Sequence, residues 1–399
     1  MNFGVDRSAG IVVSHGERAL PLRALAERKL LDGLSGIGTD VVQAVTLDPL
    51  LASGRAAWSA LFARLTELVH DGAAADLYVE QRDLSLRLPF TVADYVDFYS
   101  SIHHATNLGR LLRPGTEPLL ANWRHLPVSY HGRAGTIVVS GTPIRRPRGL
   151  ITTGGEPHYL PTTRLDIELE VGVVVGGHTE LGEPVAIDDA AEHIFGLVLL
   201  NDWSARDIQA YEYQPLGPHL GKSFATSISA WVTPLDALRP FLVAAPPQDP
   251  APSAHLTTTA PWAVDIDLRV LLESRAMREQ GIPPLQVSST NFSQMYWTIA
   301  QQLAHLAANG ASVRPGDLYG SGTVSGPQRG SEGSLIELSW GGETPIELPD
   351  GSTRTFLEDG DRVTLQGEAS DDVRLGSVEG EILPAIDRER SDAVLPTAG

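Results

Sequence analysis

The segment Leu165-Asp166-Ile167-Glu168-Leu169-Glu170-Val171 alternates apolar and acidic residues without a break. A period of two belongs to a strand with one buried face. The stretch is therefore expected in a sheet, with Asp166, Glu168 and Glu170 on one side and Leu165, Ile167, Leu169 and Val171 on the other. Same-face neighbours on a strand lie about 7 Å apart, and at an effective dielectric of 20 each carboxylate pair repels by roughly 2 kcal/mol. A bound cation is one remedy, and an open, hydrated face is the other. Asp202 lies just past Ile194 to Leu200, a run that reads as a fully buried strand. Strand ends are where open β structures display functional groups.

At 399 residues the chain has room for two or three domains, and 42% apolar against 20% charged residues marks it as globular. A net charge of -19 argues against nucleic acid or an anionic membrane as partner. It leaves an anionic substrate open, because a few local Arg and Lys residues can override the global field. With no cysteine, disulfides, thiolate nucleophiles, zinc-thiolate sites and iron-sulfur clusters are excluded, and a reducing cytoplasm fits. Met1 to Gly10 has no apolar signal core, and the longest apolar runs are too short to span a bilayer, so a soluble protein is expected.

Residues 1 to about 45 read as a few strands. Trp58, Leu61, Phe62, Leu65, Leu68 and Val69 recur at helical spacing, with Ser53 as expected N-cap and Asp71-Gly72 as stop. Asp71 to Asp76 reads as a connection, and a domain boundary is expected near Gln81 to Leu88. Beyond it the texture is β-rich, with strands expected over Gly135 to Ser140 and Ile167 to Val175. Helices are expected from Asp188 into the strand at Ile194, and from Ser293 to Ala308 with Asn309-Gly310 as its stop. Pro246, Pro247, Pro250 and Pro252 mark a loop, and the tail after about Arg388 reads as loose.

Four carboxylates stand out as possible ligands: Asp97, Glu168, Glu170 and Asp202. Oxygen donors without cysteine favour Mg²⁺ or Ca²⁺ over zinc, although a solvated strand face plus a turn aspartate explains the same residues. His103 and His104 follow Asp97 closely, in a pattern suited to metal ligation or general base work, or to a plain helix surface. Arg206 and Gln209 fall on one side of a helical turn, where a solvent-facing Arg is the simpler reading. Gly221-Lys222 lacks the Walker A frame, and Gly33, Gly36 and Gly38 do not form a dinucleotide fingerprint. No nucleophile elbow supports a serine hydrolase, and no motif supports paired-acid glycoside cleavage.

A resemblance rests on longer motifs. Asp97-Phe98-Tyr99-Ser100-Ser101, Leu126-Pro127-Val128 through Tyr130-His131-Gly132-Arg133, and Ser140 to Pro147 resemble the fumarylacetoacetase family. So do Leu165 to Glu170, Asn201-Asp202-Trp203-Ser204-Ala205-Arg206-Asp207-Ile208-Gln209, Pro215 to Pro218 with Gly221 to Phe224, Arg314 to Leu318, and Ser321 to Thr323 with Ser325 to Pro327. The match runs in order from about Leu88 to about Leu383, while residues 1 to 87 match weakly but have the size of the family's small N-terminal domain.

The resemblance implies a mainly β fold with some α (α+β). It implies a small N-terminal β-barrel-like domain over 1–87 and a large C-terminal mixed β-roll-type catalytic domain over 88–399. It further implies a cytoplasmic homodimer that hydrolyses a carbon-carbon bond of a diketo acid, giving fumarate and acetoacetate at the end of tyrosine and phenylalanine catabolism. Metal ligation by Mg²⁺ or Ca²⁺ then falls on Asp97, Glu168, Glu170 and Asp202, with Lys222 and Thr226 in the metal surroundings. The catalytic histidine falls on His104 and the acid orienting it on Glu337, with Arg206, Lys222 and Gln209 covering the departing carbanion. Substrate contacts fall on Tyr99, Arg133, Gln209, Tyr213 and Thr323. Competing readings are a related acylpyruvate or fumarylpyruvate hydrolase, whose members are typically shorter, and a cation-binding β-rich module without chemistry.

Overall fold

Short apolar runs separated by glycine turns give the first strands. β1 (Phe3–Asp6), β2 (Gly10–His15) and β3 (Arg18–Pro21) form an antiparallel meander. The expected helix is α1 (Arg55–His70), which buries Trp58, Leu61, Leu65 and Leu68 and ends at Asp71. Gly54 rather than Ser53 occupies its N-cap, because the Ser53 hydroxyl donates to the Leu50 carbonyl at 2.7 Å and belongs to the preceding turn. β4 (Val79–Glu80) then pairs with β3.

The remainder that matters for the site runs β5 (Tyr95–Phe98), α2 (Ile102–Leu112), β6 (Ser129–His131), β7 (Ile137–Val139), β8 (Ile144–Arg145) and β9 (Leu169–Val175). After these come β10 (Ile194–Asp202), α3 (Arg206–Glu212), β11 (Thr226–Ile228), β12 (Trp231–Pro234), β13 (Asp267–Glu273) and β14 (Leu285–Asn291). The last elements are α4 (Ile299–Ala307), β15 (Leu318–Gly320), α5 (Leu335–Leu338), β16 (Arg362–Ser370) and β17 (Val373–Leu383). This computed structural model describes residues 1–386, so the tail expected to be loose after Arg388 lies outside the described residues.

Two helix boundaries move for local reasons. The turn at Asp188 is a 3₁₀ turn over Ile187–Asp189 followed by a helical turn, Ala190–His193, that feeds β10 as expected. The helix expected from Ser293 starts only after Thr298, which forms a capping box with Gln301; Phe292–Gln294 is a separate 3₁₀ turn. Gly310, at φ +82, follows its end.

The large sheet has the order β4-β3-β2-β1-β12-β10-β9-β15-β5-β6, with β11 joining β10 to β7. Phe3 pairs with Val232 and Gly4 with Trp231, so the N-terminal meander continues the sheet instead of closing on itself as a barrel. A five-stranded sheet, β14-β13-β16-β17-β8, supplies a second layer. The class is mainly β with some α, as expected. Alternation along the central strands separates two cores. Val171, Val173, Leu197 and Leu199 pack with Leu268, Val270, Leu365 and Leu303 of the second sheet and α4. Val174, Val198, Leu200 and Leu318 face the opposite core, shared with Phe3, Leu22, Trp58 and Leu61 of the N-terminal part.

Candidate active site

The register of the central strands gathers the acids. Asp97 of β5 pairs with Gly320 of β15, and Gly320 pairs with Gly172 of β9. Glu170 stands opposite Leu200, Asp202 opposite Thr226, and Asp97 opposite Tyr130. Residues directly opposite share a face, as do residues two apart on a strand. Asp97, Tyr130, Glu170, Asp202 and Thr226 therefore continue the face that Val174, Leu200 and Leu318 fill with apolar side chains further along.

Glu168 reaches the same place by another route. The alternating segment is not one strand: Leu165–Asp166 is a separate two-residue strand, and β9 begins only at Leu169. The Glu168 amide donates to the Asn201 side-chain oxygen at 3.1 Å, which breaks the ladder there. All seven residues of the segment are buried, so neither an acidic face in water nor three aligned acids exists. Asp166 turns away from the cluster. It accepts from the amides of Ile167, Leu335 and Ile336 at 2.7, 2.7 and 3.1 Å and from Arg206 Nε at 2.7 Å. Arg206, with a second ion pair to Glu168 Oε1 at 2.7 Å, stands between the two acids and answers the repulsion anticipated from their spacing. It is buried, contrary to the solvent-facing alternative, and its Nη1 also donates to Gln209 at 3.1 Å.

One oxygen each from Asp97, Glu168, Glu170 and Asp202 lies within 4.8 Å of the others, and all four residues are buried. Lys222 Nζ bridges Glu168 Oε2 at 2.5 Å and Asp202 Oδ2 at 2.8 Å. Thr226 and Tyr130 hydroxyls donate to Asp202 at 2.7 and 3.1 Å. Through these atoms Lys222 and Thr226 hold Asp202 in place; a lysine ammonium has no lone pair to offer a cation. Burial, then the charges of their neighbours, pushes the carboxyls of Asp97 and Glu170 well up. Burial also opposes ionisation of Glu168, but Lys222, Arg206 and His104 outweigh it and hold that carboxyl well down. Asp97 Oδ1 and Glu170 Oε1 are buried without a hydrogen-bond partner among the described residues. Unsatisfied oxygens of this kind, in an all-oxygen set, suit a hard divalent cation.

Beside the acids sits a histidine pair partner. Ser101 caps α2 by accepting from the His104 amide at 3.2 Å, which fixes where His104 leaves the helix. His104 Nδ1 lies 2.6 Å from Glu337 Oε2, while Nε2 points to Glu168 Oε1 at 3.9 Å. Glu337, on the single-turn helix α5, is fully buried and also accepts from Ser334, Ser325 and Asn107 at 2.6, 3.0 and 3.0 Å. Burial opposes its charge, yet His104 and these donors keep its carboxyl below the ordinary range. A charged Glu337 fixes the proton on Nδ1, so that the neutral form of His104 turns its Nε2 lone pair toward the acids.

A cavity of about 460 Å³ opens onto this arrangement, and its walls include Asp97, Tyr99, His104, Glu168, Arg206, Gln209, Tyr213, Lys222 and Thr323. The Tyr99 ring stands edge-on to His104, centroids 5.3 Å apart. Arg133 is not among these walls: it follows β6 and lines a smaller cavity of about 150 Å³ that shares Tyr130, Pro218 and Lys222 with the larger one. Besides Arg206, the main cavity is lined by the guanidinium of Arg113, whose buried Nε has no partner among the described residues. His104, Leu108 and Leu112 fall at helical spacing and line this cavity with Arg113 at the end of α2. Sequence reasoning also missed Asn107, Ser325 and Ser334 around Glu337. His103 is half-buried and lines a different cavity, of about 480 Å³, with Arg110 and Trp340.

Comparison with known proteins agrees with this geometry. The model of the "Fumarylacetoacetate (FAA) hydrolase C-terminal" family matches residues 95–382, the span that holds every acid of the cluster, His104 and Glu337. A fumarylacetoacetase of Rattus norvegicus is 47% identical over 360 residues, 87% of this chain and 85% of the relative. One of Arabidopsis thaliana is 44% identical over 387 residues, 94% and 91% of the two chains. Among solved structures, a fumarylacetoacetate hydrolase of Exiguobacterium antarcticum aligns with a TM-score of 0.53 at 15% identity, covering 96% of this chain and 99% of that one, a likeness of fold alone. Matched across the whole span that builds its site, the chain belongs to the fumarylacetoacetate hydrolase family.

Proposed function

We propose that this chain hydrolyses the carbon-carbon bond of 4-fumarylacetoacetate to fumarate and acetoacetate, the closing step of tyrosine and phenylalanine catabolism. The observation that carries the reading is the opening of one cavity onto Asp97 and Glu168 of the four-acid cluster and onto His104, which Glu337 holds from behind. Asp97, Glu168, Glu170 and Asp202 would hold Mg²⁺ or Ca²⁺, which supplies Lewis-acid polarisation of a diketone when bound. His104 Nε2 takes a proton from water, and Glu337 steadies the imidazolium that results. The hydroxide equivalent adds to the carbonyl on the fumaryl side, cleavage sends the bonding pair to the acetoacetate carbon, and that carbon takes up a proton equivalent to the one His104 accepted, which balances the addition of water. Lys222, Arg206 and Gln209 stand at the cavity wall where that negative charge develops. Tyr99, Tyr213 and Thr323 line the same space and can grip the substrate, with Arg113 facing a carboxylate end. A non-catalytic cation-binding module would have no need of a fully buried carboxylate holding a cavity-facing histidine.

Purified protein with Mg²⁺ or Ca²⁺ is expected to bleach the diketone absorbance of fumarylacetoacetate and release fumarate and acetoacetate in equal amounts. Cleavage of acylpyruvates with no action on fumarylacetoacetate would overturn the reading. A homodimer in solution accompanies the proposal and is checked by light scattering.

A further inference from the structure

We infer that Gly320 and Tyr95 are positioning residues of the acid cluster: a missing side chain that lets two ligands converge, and a buried hydroxyl that serves what they hold. β15 runs between β9 and β5, so any side chain at 320 would project between Glu170 and Asp97. A Cβ built there would lie 2.6 Å from Glu170 Oε2, 3.0 Å from Asp97 Oδ1 and 3.1 Å from the Tyr95 hydroxyl. The backbone at 320 has no left-handed conformation to explain the glycine. The reason is space: a methyl group would push apart the two carboxylates that neighbouring strands lean over this residue.

Tyr95 is two residues before Asp97 on β5 and so projects to the same face. It is 2% exposed, and its hydroxyl finds no hydrogen-bond partner among the described residues. A buried hydroxyl left unpaired has lost its water and gained nothing in return, so its retention calls for a partner. The groups around it are Asp97 Oδ1 and Glu170, themselves acceptors with unsatisfied oxygens. Tyr95 donates to these ligands, or to water held with them, once a cation fills the cluster. Outer partners of this kind typically change metal affinity by about 10–100-fold when removed.

This inference rests on the cation reading of the cluster, and one set of titrations separates the two. Mg²⁺ and Ca²⁺ binding is measured by calorimetry on the unaltered chain, Glu170→Gln, Tyr95→Phe and Gly320→Ala, with circular dichroism and thermal unfolding of the ion-free proteins in parallel. The unaltered chain is expected to bind and Glu170→Gln to lose binding. Tyr95→Phe is expected to bind about tenfold more weakly and Gly320→Ala more weakly still, with folds intact. If the unaltered chain binds neither ion, the cation reading falls and this inference with it. If it binds and Tyr95→Phe binds equally well, the role of Tyr95 is overturned while the cation reading stands. Equal binding by folded Gly320→Ala overturns the role of Gly320; should that variant not fold, Tyr95→Phe decides.

Discussion

At the scale of single residues, the site depends on which groups are charged and which are held. His104 is held twice, by the helix cap at Ser101 and by Glu337, and it stands outside the four-acid cluster. His104→Ala is therefore expected to lower kcat by about 10²–10⁴-fold while leaving the fold and cation binding intact. Steady-state kinetics beside calorimetry check this, and full turnover in the variant would remove His104 as the base. The four acids and this histidine were legible because their types and strand or helix positions are local properties. Arg113 and Gly320 were not. Which guanidinium faces the cavity is decided by how the segment after α2 folds back, where the Gly109 Cα packs so closely on Pro118 that a Cβ would sit 2.0 Å from its carbonyl oxygen. What Gly320 must leave empty emerges only from the register of three strands far apart in sequence.

At the scale of elements, the decisive feature is the interruption between Leu165–Asp166 and β9. A strict period of two predicted one strand, and the period was right on either side of the break. What alternation could not show is that Asn201 captures the Glu168 amide and that the first amides of α5 capture Asp166. Asp166 thereby anchors the element that carries Glu337, while pairing with Arg206 at the cluster's edge. Breaking a buried ion pair by removing one partner costs about 3–5 kcal/mol. Asp166→Ala is expected to lose stability of that order in urea unfolding, and to lower kcat because α5 no longer holds Glu337 in register with His104. A variant within about 1 kcal/mol of the parent would show that the pair with Arg206 contributes little.

At the scale of the whole molecule, a domain boundary is expected from the sequence near residue 87, yet the second core is built from residues on both sides of it. Trp58 packs edge-on against Phe195, ring centroids 5.3 Å apart, and closes over Gly176 at the end of β9. Arg55 of α1 pairs with Asp236, just past β12. Removing residues 1–87 would uncover Val174, Phe195, Val198, Val232 and Leu318 together. A contiguous apolar patch of that kind drives association, so the fragment is expected to aggregate or bind a hydrophobic dye; a monodisperse, cooperatively unfolding fragment would refute this. A separate test, within the N-terminal part, is Asp6 at the turn between β1 and β2. Burial disfavours its charge, but the Ala9 and Ser8 amides and the Ser8 hydroxyl donate to Oδ1, and the Ser85 amide donates to Oδ2 at 2.6 Å. Together they hold its carboxyl down to about 2, against an ordinary 3.8. A depressed carboxyl contributes its stability in full above the unfolded value and loses it as pH falls through the folded one. Asp6→Asn should therefore cost about 1–2 kcal/mol at neutral pH, discounted for screening near the surface. Denaturant unfolding should show that gap closing between pH 4 and pH 2 as Asp6 itself becomes neutral; an undiminished gap at the acid end would mean that shape, not charge, is what Asn fails to supply.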